Sequence, residues 1–497
     1  MKEASQKVAK WSRKDVTGVV LVYVLNVIVM TAIYILFEYF SRGKNFDALI
    51  KYLAQPQTLL TFFVLSSLSS LFMLVFFLMT DKDFLREPIN SEMLFLIIEL
   101  CLVICILCCE YVNYYLCPFA VAGLLTLFLT NTKNALFINM IFGYIWIVFF
   151  TFLGMNDRFN GLADQTVLYY IMNIVAGTVA ILVMDGVYSR VKVVIRSLFV
   201  SLPCLVVVAF SLFAYAESDV VPSVVAALVS GPLSIICFTI LLPVFEGIFK
   251  KVSCFKYAEL TDHKAKFIKK MIEQAPGTFN HAVIVANIAE NCATAIGEDS
   301  MLARTCAYYH DVGKLRRPEF FKENQAGLED PHEGLTPELS SNIIRSHAQD
   351  GYDLLIKNRF PKQIADACAQ HHGTLPIYFF YDKAKKFTDG EVSIEQFCYT
   401  GPKPQSKIAA ILMIADSSEA ATRTLADRSR EKVSEVVRNI VNERMKLGQF
   451  DECEITLKEI TLIINAVINS LTGVYHRRVE YPKVTLDGLY KDVVKED

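Results

Sequence analysis

Long apolar runs in the first 250 residues limit what this chain can fold into more than any other feature. A helix needs about 20 apolar residues to cross the hydrocarbon core of a bilayer, and several runs reach that length. Of the first 250 residues, 32 are Lys, Arg, Asp or Glu, compared with 68 of the remaining 247. The sequence therefore predicts a membrane region joined near residue 250 to a soluble region. It excludes a single soluble globule, a disordered chain and a small disulfide scaffold.

Eight membrane spans are predicted from the apolar runs. Lys and Arg are frequent before the first span and after the second, fourth, sixth and eighth spans, and the loop 41–56 is the exception. The positive-inside rule then predicts a multi-pass protein of the plasma (inner) membrane with both termini and the soluble region in the cytoplasm. The predicted spans are 16–40, 57–80, 93–110, 113–130, 134–153, 165–185, 194–215 and 222–249.

Two features of these spans bear on function. The first apolar run is too long for the apolar core of a signal peptide, so we expect it to remain as an anchor. Glu99 lies inside the third span, where a charge is costly enough to suggest a functional role. The alternative is a structural acid that faces a neighbouring helix. A transporter is disfavoured because the bundle carries little charge and lacks matching Gly/Pro interruptions in its two halves.

Helical periodicity dominates the soluble region. Residues 257–274 are predicted to form a connecting helix that leaves the membrane, because apolar residues recur at helical spacing before Pro276-Gly277. An all-α domain of eight to ten helices follows, with no convincing strand before Val474. Its clearest predicted helices are 281–296, 301–310, 338–357, 361–371, 405–426, 430–446 and 456–475.

Cysteine usage and net charge exclude some kinds of site. The 13 cysteines provide no CxxC pair facing a second CxxC or a His pair at zinc-site spacing. Six free cysteines between Cys254 and Cys453 fit a reducing, cytosolic compartment. The net charge of −2 gives no global electrostatic case for binding a DNA or RNA polymer.

The candidate chemistry lies in histidines and carboxylates of the soluble region. Imidazoles and carboxylates without a thiolate suit a borderline divalent metal such as Mn, Fe, Co or Zn. Seven ligands are too many for one tetrahedral ion, but they fit two octahedral ions that share a bridging carboxylate. Taken singly, each His is more often a structural or surface residue, and His263, His332 and His476 are ordinary examples. The candidate ligands are His281, His310, Asp311, His347, His371, His372 and Asp416.

Several long motifs resemble the seven-transmembrane HD-domain phosphodiesterases that degrade cyclic di-AMP. The resemblance covers roughly residues 57–485. It implies an HD fold with two divalent metal ions, manganese or iron, and linear pApA as the product. The motifs are LPVFEGIF (242–249), PGTFNHAVIVANIAE (276–290), AYYHDVGKLRRPEFFKENQ (307–325), SHAQDGYDLL (346–355), QHHGTLPIYFFYDKA (370–384) and GPKPQSKIAAILMIADSSEA (401–420).

The resemblance also implies how the ligands are shared between the ions. One ion would be held by His281, His310, Asp311 and Asp416. The other would be held by His347, His371, His372 and the same Asp311, which would bridge the two ions. All seven positions are filled, which argues against a catalytically inactive member.

Two features depart from related patterns. Only about 16 residues, 41–56, stand where family members usually carry a large extracellular domain. The HD-GYP enzymes, which act on cyclic di-GMP, follow the His pair with Gly-Tyr-Pro, whereas this chain has HHGTLPIYFFY. The predicted organisation is an anchor helix and short loop (1–56), a seven-helix bundle (57–250), a connecting helix (251–275) and a cytoplasmic HD phosphodiesterase domain (276–497).

The substrate contacts are predicted from residue chemistry. A water held by two divalent ions would lose its proton near neutral pH, which removes the need for a protein base. Lys314 is predicted to contact the phosphate and to act in catalysis with Asp311, whereas Arg317 and Lys403 are weaker candidates for such a contact. Gly373 would let the chain turn away from the metals. The candidates for stacking on adenine are Phe320, Tyr378 and Tyr381.

Alternative functions are a receptor that binds a cyclic dinucleotide without cleaving it and an HD phosphodiesterase acting on another cyclic dinucleotide. The complete ligand set disfavours the receptor. We expect the bundle to lie in membrane lipid and to anchor the chain, form a homodimer or transmit a signal.

Overall fold

The computed structural model describes residues 12–41, 46–54, 56–152, 163–187, 189–215, 220–325, 329–387 and 391–474. Within these ranges the chain is helical and has no strand, so the predicted all-α class is confirmed. One isolated antiparallel bridge pairs Pro376 with Cys398. The chain divides into two compact units, Met1–Phe255 and Lys256–Asp497.

The first unit is an apolar helical bundle. Its described helices are α1 (Arg13–Ser41), α2 (Phe46–Leu53), α3 (Pro56–Thr80), α4 (Lys82–Arg86), α5 (Pro88–Tyr111), α6 (Val121–Leu129), α7 (Thr132–Phe152), α8 (Ala163–Met184), α9 (Arg190–Tyr215) and α10 (Val220–Phe249). Six of them, α1, α3, α5, α7, α9 and α10, are long and apolar enough to cross a bilayer.

Among the described residues, six helices are long enough to span a bilayer, compared with the eight spans predicted. The predicted span 113–130 is not one helix, because it contains a 3₁₀ turn (Tyr114–Leu116), then Pro118 and the nine-residue α6. A helix of that length rises only about 14 Å, roughly half the hydrocarbon thickness. The described apolar part of α8, Tyr170–Met184, is also shorter than a full span. Glu99 lies within α5, as predicted, and is half-buried.

A polar side chain compensates for the proline in the middle of α10. Pro232 has no N–H, so the carbonyl of Leu228, four residues earlier, lacks its usual helical partner. The hydroxyl of Ser201 on α9 donates to that carbonyl over 2.7 Å and accepts the N–H of Gly231 over 3.1 Å. The helix therefore continues through the proline because a neighbouring helix satisfies the freed groups.

Ten described α-helices follow, and the first of them begins two residues before the second unit, which starts at Lys256. They are α11 (Cys254–Leu260), α12 (Lys266–Gln274), α13 (Pro276–Ile296), α14 (Ser300–Tyr309), α15 (Pro337–Lys357), α16 (Lys362–Gln370), α17 (Tyr378–Phe387), α18 (Lys407–Arg423), α19 (Arg430–Lys446) and α20 (Leu457–Val474). The seven helices predicted most clearly from the sequence match α13 to α16 and α18 to α20. Helix α17 was not predicted.

The predicted continuous connecting helix is wrong. Helices α11 and α12 are separated by a turn at 261–265, in which the carboxylate of Asp262 accepts the N–H of Lys264 over 2.7 Å and its carbonyl accepts the N–H of Ala265. An aspartate that bonds the backbone two residues on favours a turn over a helix. The apolar spacing continued through the turn and concealed it.

Polar caps fix where the helices around the histidines begin. The carboxylate of Asp299 accepts the N–H of Leu302 at the start of α14, and Thr336 and Ser406 cap α15 and α18 in the same way. Such caps satisfy N–H groups that have no partner inside the helix. They set the register of the three helices, and that register decides which faces turn inwards.

Candidate metal centre

Seven buried or partly buried side chains converge inside the second unit. They are His281 on α13, His310 and Asp311 directly after α14, His347 on α15, His371 and His372 directly after α16, and Asp416 on α18. In three groups the ligand atoms lie within 4.8 Å of one another: His281, His310 and Asp416; His310, Asp311 and His371; and His347, His371 and His372. The structure thus brings together all seven residues proposed from the sequence.

Helix ends and close backbone contacts make this convergence possible. The HDVGK segment leaves α14 as a 3₁₀ helix, Val312–Arg316. A Cβ at Gly313 would lie 1.9 Å from the carbonyl oxygen of His347, so only glycine lets this segment pack so close to α15. After the His pair, Gly373 has a φ of +53°, the left-handed turn expected for it. Both histidine segments therefore end at a required glycine.

Asp311 stands between two sets of histidines. Its Oδ1 lies 3.1 Å from Nε2 of His347 and 3.7 Å from Nε2 of His371. Its Oδ2 lies 3.2 Å from Nε2 of His310 and 3.8 Å from Nε2 of His281. The two oxygens of one carboxylate thus face different imidazole groups, which is the arrangement expected of a bridging ligand.

The tautomers of three histidines are fixed by the backbone. Nδ1 of His310, His347 and His371 each lies 2.6 Å from a carbonyl oxygen three residues earlier. A carbonyl only accepts, so each Nδ1 carries the proton and each neutral ring presents an Nε2 lone pair to the cluster. Metal-binding histidines are commonly oriented in this way.

Lone pairs therefore face lone pairs at the centre of the cluster. Nε2 of His347 lies 3.3 Å from Nε2 of His371. Nε2 of His310 and Oδ1 of Asp311 are buried and make no hydrogen bond of acceptable geometry to described residues, whereas Oδ2 of Asp311 is paired with the ammonium of Lys314. Buried acceptors without a donor are costly. A bound cation would satisfy all of them at once, so the donor set fits a divalent metal.

His281 is held differently from the other histidines. Its Nδ1 donates to Oε2 of Glu419 over 2.5 Å, and its Nε2 lies 3.0 Å from Oδ1 of Asp416. Burial alone would lower the pKa of His281, but the bonds to Asp416 and Glu419 outweigh it and raise the pKa to about 10. His281 therefore has a raised affinity for a proton, and a metal ion bound at His281 would have to displace that proton.

The other charges of the cluster are arranged around Asp311. Burial alone would raise the pKa of Asp311, but the adjacent imidazole of His310 and the ammonium of Lys314 outweigh it and hold the pKa well below its usual range. Burial, together with the neighbouring imidazoles of His310 and His347, lowers the pKa of His371 to about 3. Asp311 is thus ionised and His371 neutral at physiological pH, the protonation states in which both side chains bind metals.

Lys314 belongs to the cluster and already has anionic partners. Its Nζ lies 2.7 Å from Oδ2 of Asp311 and 2.7 Å from Oε1 of Glu323, over the ring of Phe321. Burial would lower the pKa of Lys314, but Asp311 and Glu323 raise it above the ordinary value. The cation that we expected to meet a phosphate is therefore next to the ligands, and it is paired there with two carboxylates.

The other predicted substrate contacts are placed less directly. Arg317 is exposed at the end of the 3₁₀ helix, and Nζ of Lys403 lies 3.7 Å from Oδ2 of Asp451. Gly373 follows His372 immediately. The structure does not bring Arg317 or Lys403 into any described ion pair with the ligand residues.

The aromatic candidates and the ordinary histidines have other neighbours. Phe320 packs against His332, and Tyr381 packs against Phe397. Tyr378 is exposed. His332 is buried, with its Nε2 3.0 Å from the carbonyl of Phe320. His263 packs edge-on to Phe279, and His476 lies outside the described residues.

Three residues near the ligands were not predicted from the sequence. Glu419 follows Asp416 by three residues on α18, so the i, i+3 spacing placed it on the same helix face and could have identified it. Glu323 lies in a three-residue 3₁₀ helix, Lys322–Asn324, where apolar periodicity gives no signal. Tyr399 stacks on His372 with ring centroids 4.2 Å apart. It is 27 residues later in the chain, so no local spacing connects the two.

The family comparisons agree with both units. Residues 278–421 match the HD domain family, and residues 56–253 match the family described as 7TM receptor with intracellular HD hydrolase. The cyclic-di-AMP phosphodiesterase PgpH of Bacillus subtilis (strain 168) is 37% identical over 381 residues, which cover 76% of this chain and 52% of that protein. PgpH of Listeria monocytogenes serotype 1/2a (strain 10403S) is 36% identical over 372 residues, covering 74% and 50%.

Solved structures with a similar sequence are also known. The crystal structure of the L. monocytogenes phosphodiesterase PgpH HD domain in complex with cyclic-di-AMP is 45% identical. The match covers 43% of this chain and 99% of that chain, with a TM-score of 0.41. The chain spans about half the length of the curated relatives that it matches. The resemblance seen in the sequence motifs is confirmed, and the chain is a membrane protein that belongs to the family of 7TM receptors with an intracellular HD hydrolase.

Proposed function

We propose that this chain is a metal-dependent phosphodiesterase that hydrolyses cyclic di-AMP to linear pApA. The observation that carries the proposal is the carboxylate of Asp311, whose two oxygens face two sets of imidazole lone pairs. Two relatives with more than a third of their aligned residues identical are named cyclic-di-AMP phosphodiesterases. Turnover of a second messenger at the membrane would be the biological role.

The proposed ligand sets follow the distances around Asp311. The first metal would be held by His281, His310, Asp311 and Asp416, and the second by Asp311, His347, His371 and His372. Manganese or iron suits these nitrogen and oxygen donors. Two such ions supply Lewis-acid chemistry and an activated water for phosphodiester hydrolysis.

The chain's own residues position and neutralise the substrate. The side chains of His372 and Asp416 are 20% and 12% exposed, compared with 4% or less for the other five ligands, so the substrate reaches the cluster from their side. Lys314 balances the charge of Asp311 and attracts the phosphodiester, and it is the second residue that acts in catalysis. Arg317 and Lys403 add positive charge farther out, and Gly373 turns the chain away beside the opening.

The domain layout and topology that we propose follow the sequence. An anchor helix and short loop (1–56) precede a transmembrane bundle (57–250), a connecting segment (251–275) and a cytoplasmic HD domain (276–497). The lysines and arginines before the first span and beyond the last span support the placement of both termini in the cytoplasm. The bundle would contact lipid, anchor the enzyme and form a homodimer.

Product analysis tests the proposal. The full chain, purified in lipid nanodiscs and loaded with Mn²⁺, is offered cyclic di-AMP and cyclic di-GMP separately, and the products are identified by mass spectrometry. We expect pApA from cyclic di-AMP and no product from cyclic di-GMP. The double variant His310→Ala, Asp311→Ala serves as the control and should yield neither product.

Each other outcome has a definite meaning. Cleavage of cyclic di-GMP alone would assign the chain to a different cyclic dinucleotide. If metal is bound and neither compound is cleaved, the receptor alternative replaces the enzyme.

A further inference from the structure

Tyr399 lies directly at the open side of the ligand cluster. Its ring stacks on the ring of His372 with centroids 4.2 Å apart and planes 27° from parallel. It also meets the ring of His347 edge-on, at 6.1 Å. His372 has the most exposed side chain among the seven candidate ligands. Tyr399 therefore covers one face of the ligand beside which a substrate would enter.

The backbone fixes Tyr399 relative to the His pair. The segment that carries it runs antiparallel to the segment after the His pair. The N–H of Tyr399 donates to the carbonyl of Leu375 over 3.0 Å, and the N–H of Ile377 donates to the carbonyl of Phe397 over 2.9 Å. The guanidinium of Arg345, two residues before His347, donates to the carbonyl of Cys398 over 3.3 Å. The ring is thus held by the same elements that hold the ligands.

The hydroxyl of Tyr399 makes no hydrogen bond to any residue within the described ranges. The contrast is Tyr309, beside His310, whose hydroxyl donates to the carbonyl of Leu260 over 2.6 Å. A tyrosine hydroxyl carries its proton at neutral pH, so Tyr399 presents an unused donor at the entrance to the cluster.

We propose that Tyr399 donates a hydrogen bond from its hydroxyl to a phosphate oxygen of the bound phosphodiester, while its ring stacks on His372. The inference rests on the proposed function, because it requires a phosphodiester at the cluster. A preorganised donor aimed at a phosphate oxygen stabilises charge that develops in the transition state. Tyr399 would be a catalytic residue in addition to the seven candidate ligands and Lys314.

The experiment uses Tyr399→Phe, which keeps the stacked ring and removes only the hydroxyl. Tyr352→Phe is the matched control, because Tyr352 is a half-buried tyrosine on α15 near Lys362. Both variants are prepared as full chains in nanodiscs with Mn²⁺. Metal content, thermal unfolding, kcat and KM for cyclic di-AMP are measured, together with the calorimetric affinity for inorganic phosphate.

We expect Tyr399→Phe to keep its metal content and its unfolding temperature. Its kcat/KM should fall about ten- to a hundredfold, the range for a hydrogen bond to a charged group. Most of the loss should appear in kcat, and phosphate should bind more weakly than to the wild type. Tyr352→Phe should match the wild type in every measurement.

Three results would overturn the inference, and they can be told apart. A wild-type chain that cleaves cyclic di-AMP and a Tyr399→Phe variant with unchanged kcat, KM and phosphate affinity would remove the hydrogen bond but leave the proposed function intact. Loss of metal from Tyr399→Phe would show that the hydroxyl acts on the structure of the site. An inactive wild type would remove the proposed function and this inference with it.

Discussion

The two units of the chain bury different kinds of polar group. In the described part of the bundle, the buried polar side chains are neutral Asn, Ser and Thr, apart from Glu38 in α1. Many of these hydroxyls donate to backbone carbonyls, as Ser201 does to Leu228. In the second unit, buried carboxylates and imidazoles are collected in one place, and several of their lone pairs have no donor.

This difference separates buried polar groups that stabilise the fold from buried polar groups that are available to bind a ligand. A satisfied buried hydroxyl joins two helices at little cost, whereas unpaired buried acceptors lower stability until a ligand arrives. A bonded hydroxyl such as that of Ser201 therefore stabilises the bundle without a ligand, although the bundle also buries neutral polar atoms, such as Oγ of Ser211, that have no partner among the described residues. The ligand cluster is stabilised only in part by protons and by Lys314, and its remaining lone pairs are available for a cation.

The largest expected effect comes from removing the shared carboxylate. Asp311→Ala deletes the group that faces both sets of histidines, so metal content and turnover should be lost together. Metal ions contribute several kcal/mol to phosphoryl chemistry, which corresponds to a rate loss on the order of a thousandfold or more. Metal analysis and cyclic di-AMP hydrolysis measure the two quantities on the same sample.

The matched control for this variant is Asp366→Ala. Asp366 pairs with Lys362 over 2.8 Å on the surface of α16, and surface pairs of this kind contribute little. The control should keep both metal and activity. Turnover in Asp311→Ala near the wild-type level would contradict the bridging role.

The second effect concerns stability without any mutation. Removing metal with a chelator should destabilise the second unit and leave the bundle unchanged. A ligand present at about a hundred times its Kd stabilises a folded unit by about 2.7 kcal/mol, which corresponds to roughly 5–10 °C in Tm for a unit of this size. Hydrogen exchange resolves the two units, and protection should fall around α13 to α18. An equal loss of protection in α9 and α10 would contradict the prediction that metal stabilises only the second unit.

The sequence was sufficient for the seven candidate ligands because each lies in a long local motif. His310-Asp311 and His371-His372 end helices whose periodicity is clear, and each pair is followed by a required glycine. The sequence did not show which oxygen of Asp311 faces which histidine, because that depends on the packing of α13, α15 and α18. The assignment of all seven as ligands stays a prediction.

Features that apolar spacing does not report were missed. Tyr399 reaches His372 through backbone pairing between segments that are far apart in the chain. The turn at Asp262 interrupts a helix that the apolar spacing predicted as continuous. Similarly, the apolar run 113–130 is long enough for a span, but Pro118 and the turn before it leave only a short α6. Composition indicated correctly whether these residues belong to the apolar bundle or to the soluble region, but it did not indicate their backbone conformation.

The third effect tests Glu419, the carboxylate that accepts a hydrogen bond from the candidate metal ligand His281. Glu419→Gln keeps an acceptor for Nδ1 of His281 but removes the negative charge that makes this imidazole a better donor to a metal. Replacing such partners typically weakens metal affinity 10- to 100-fold. Competition against a fluorescent chelator measures the affinity, with Glu435→Gln, a surface partner of Lys432, as control. Equal affinity in the two variants would show that Glu419 serves only folding.

The smallest effect lies in the bundle and tests the other half of the comparison. Ser201→Ala leaves the carbonyl of Leu228 without a donor next to Pro232, so the bundle should lose about 1 kcal/mol of unfolding free energy. Ser211→Ala is the control on the same helix, because the hydroxyl of Ser211 is buried without a hydrogen-bond partner in the described residues, and its removal should be neutral or stabilising. Denaturant titration in detergent measures both variants, and their metal content should stay at the wild-type value. Equal stability of the two variants would mean that the hydrogen bond from Ser201 does not stabilise the packing of α9 against α10. Loss of metal from either variant would show that a change in the bundle affects the ligand cluster of the second unit.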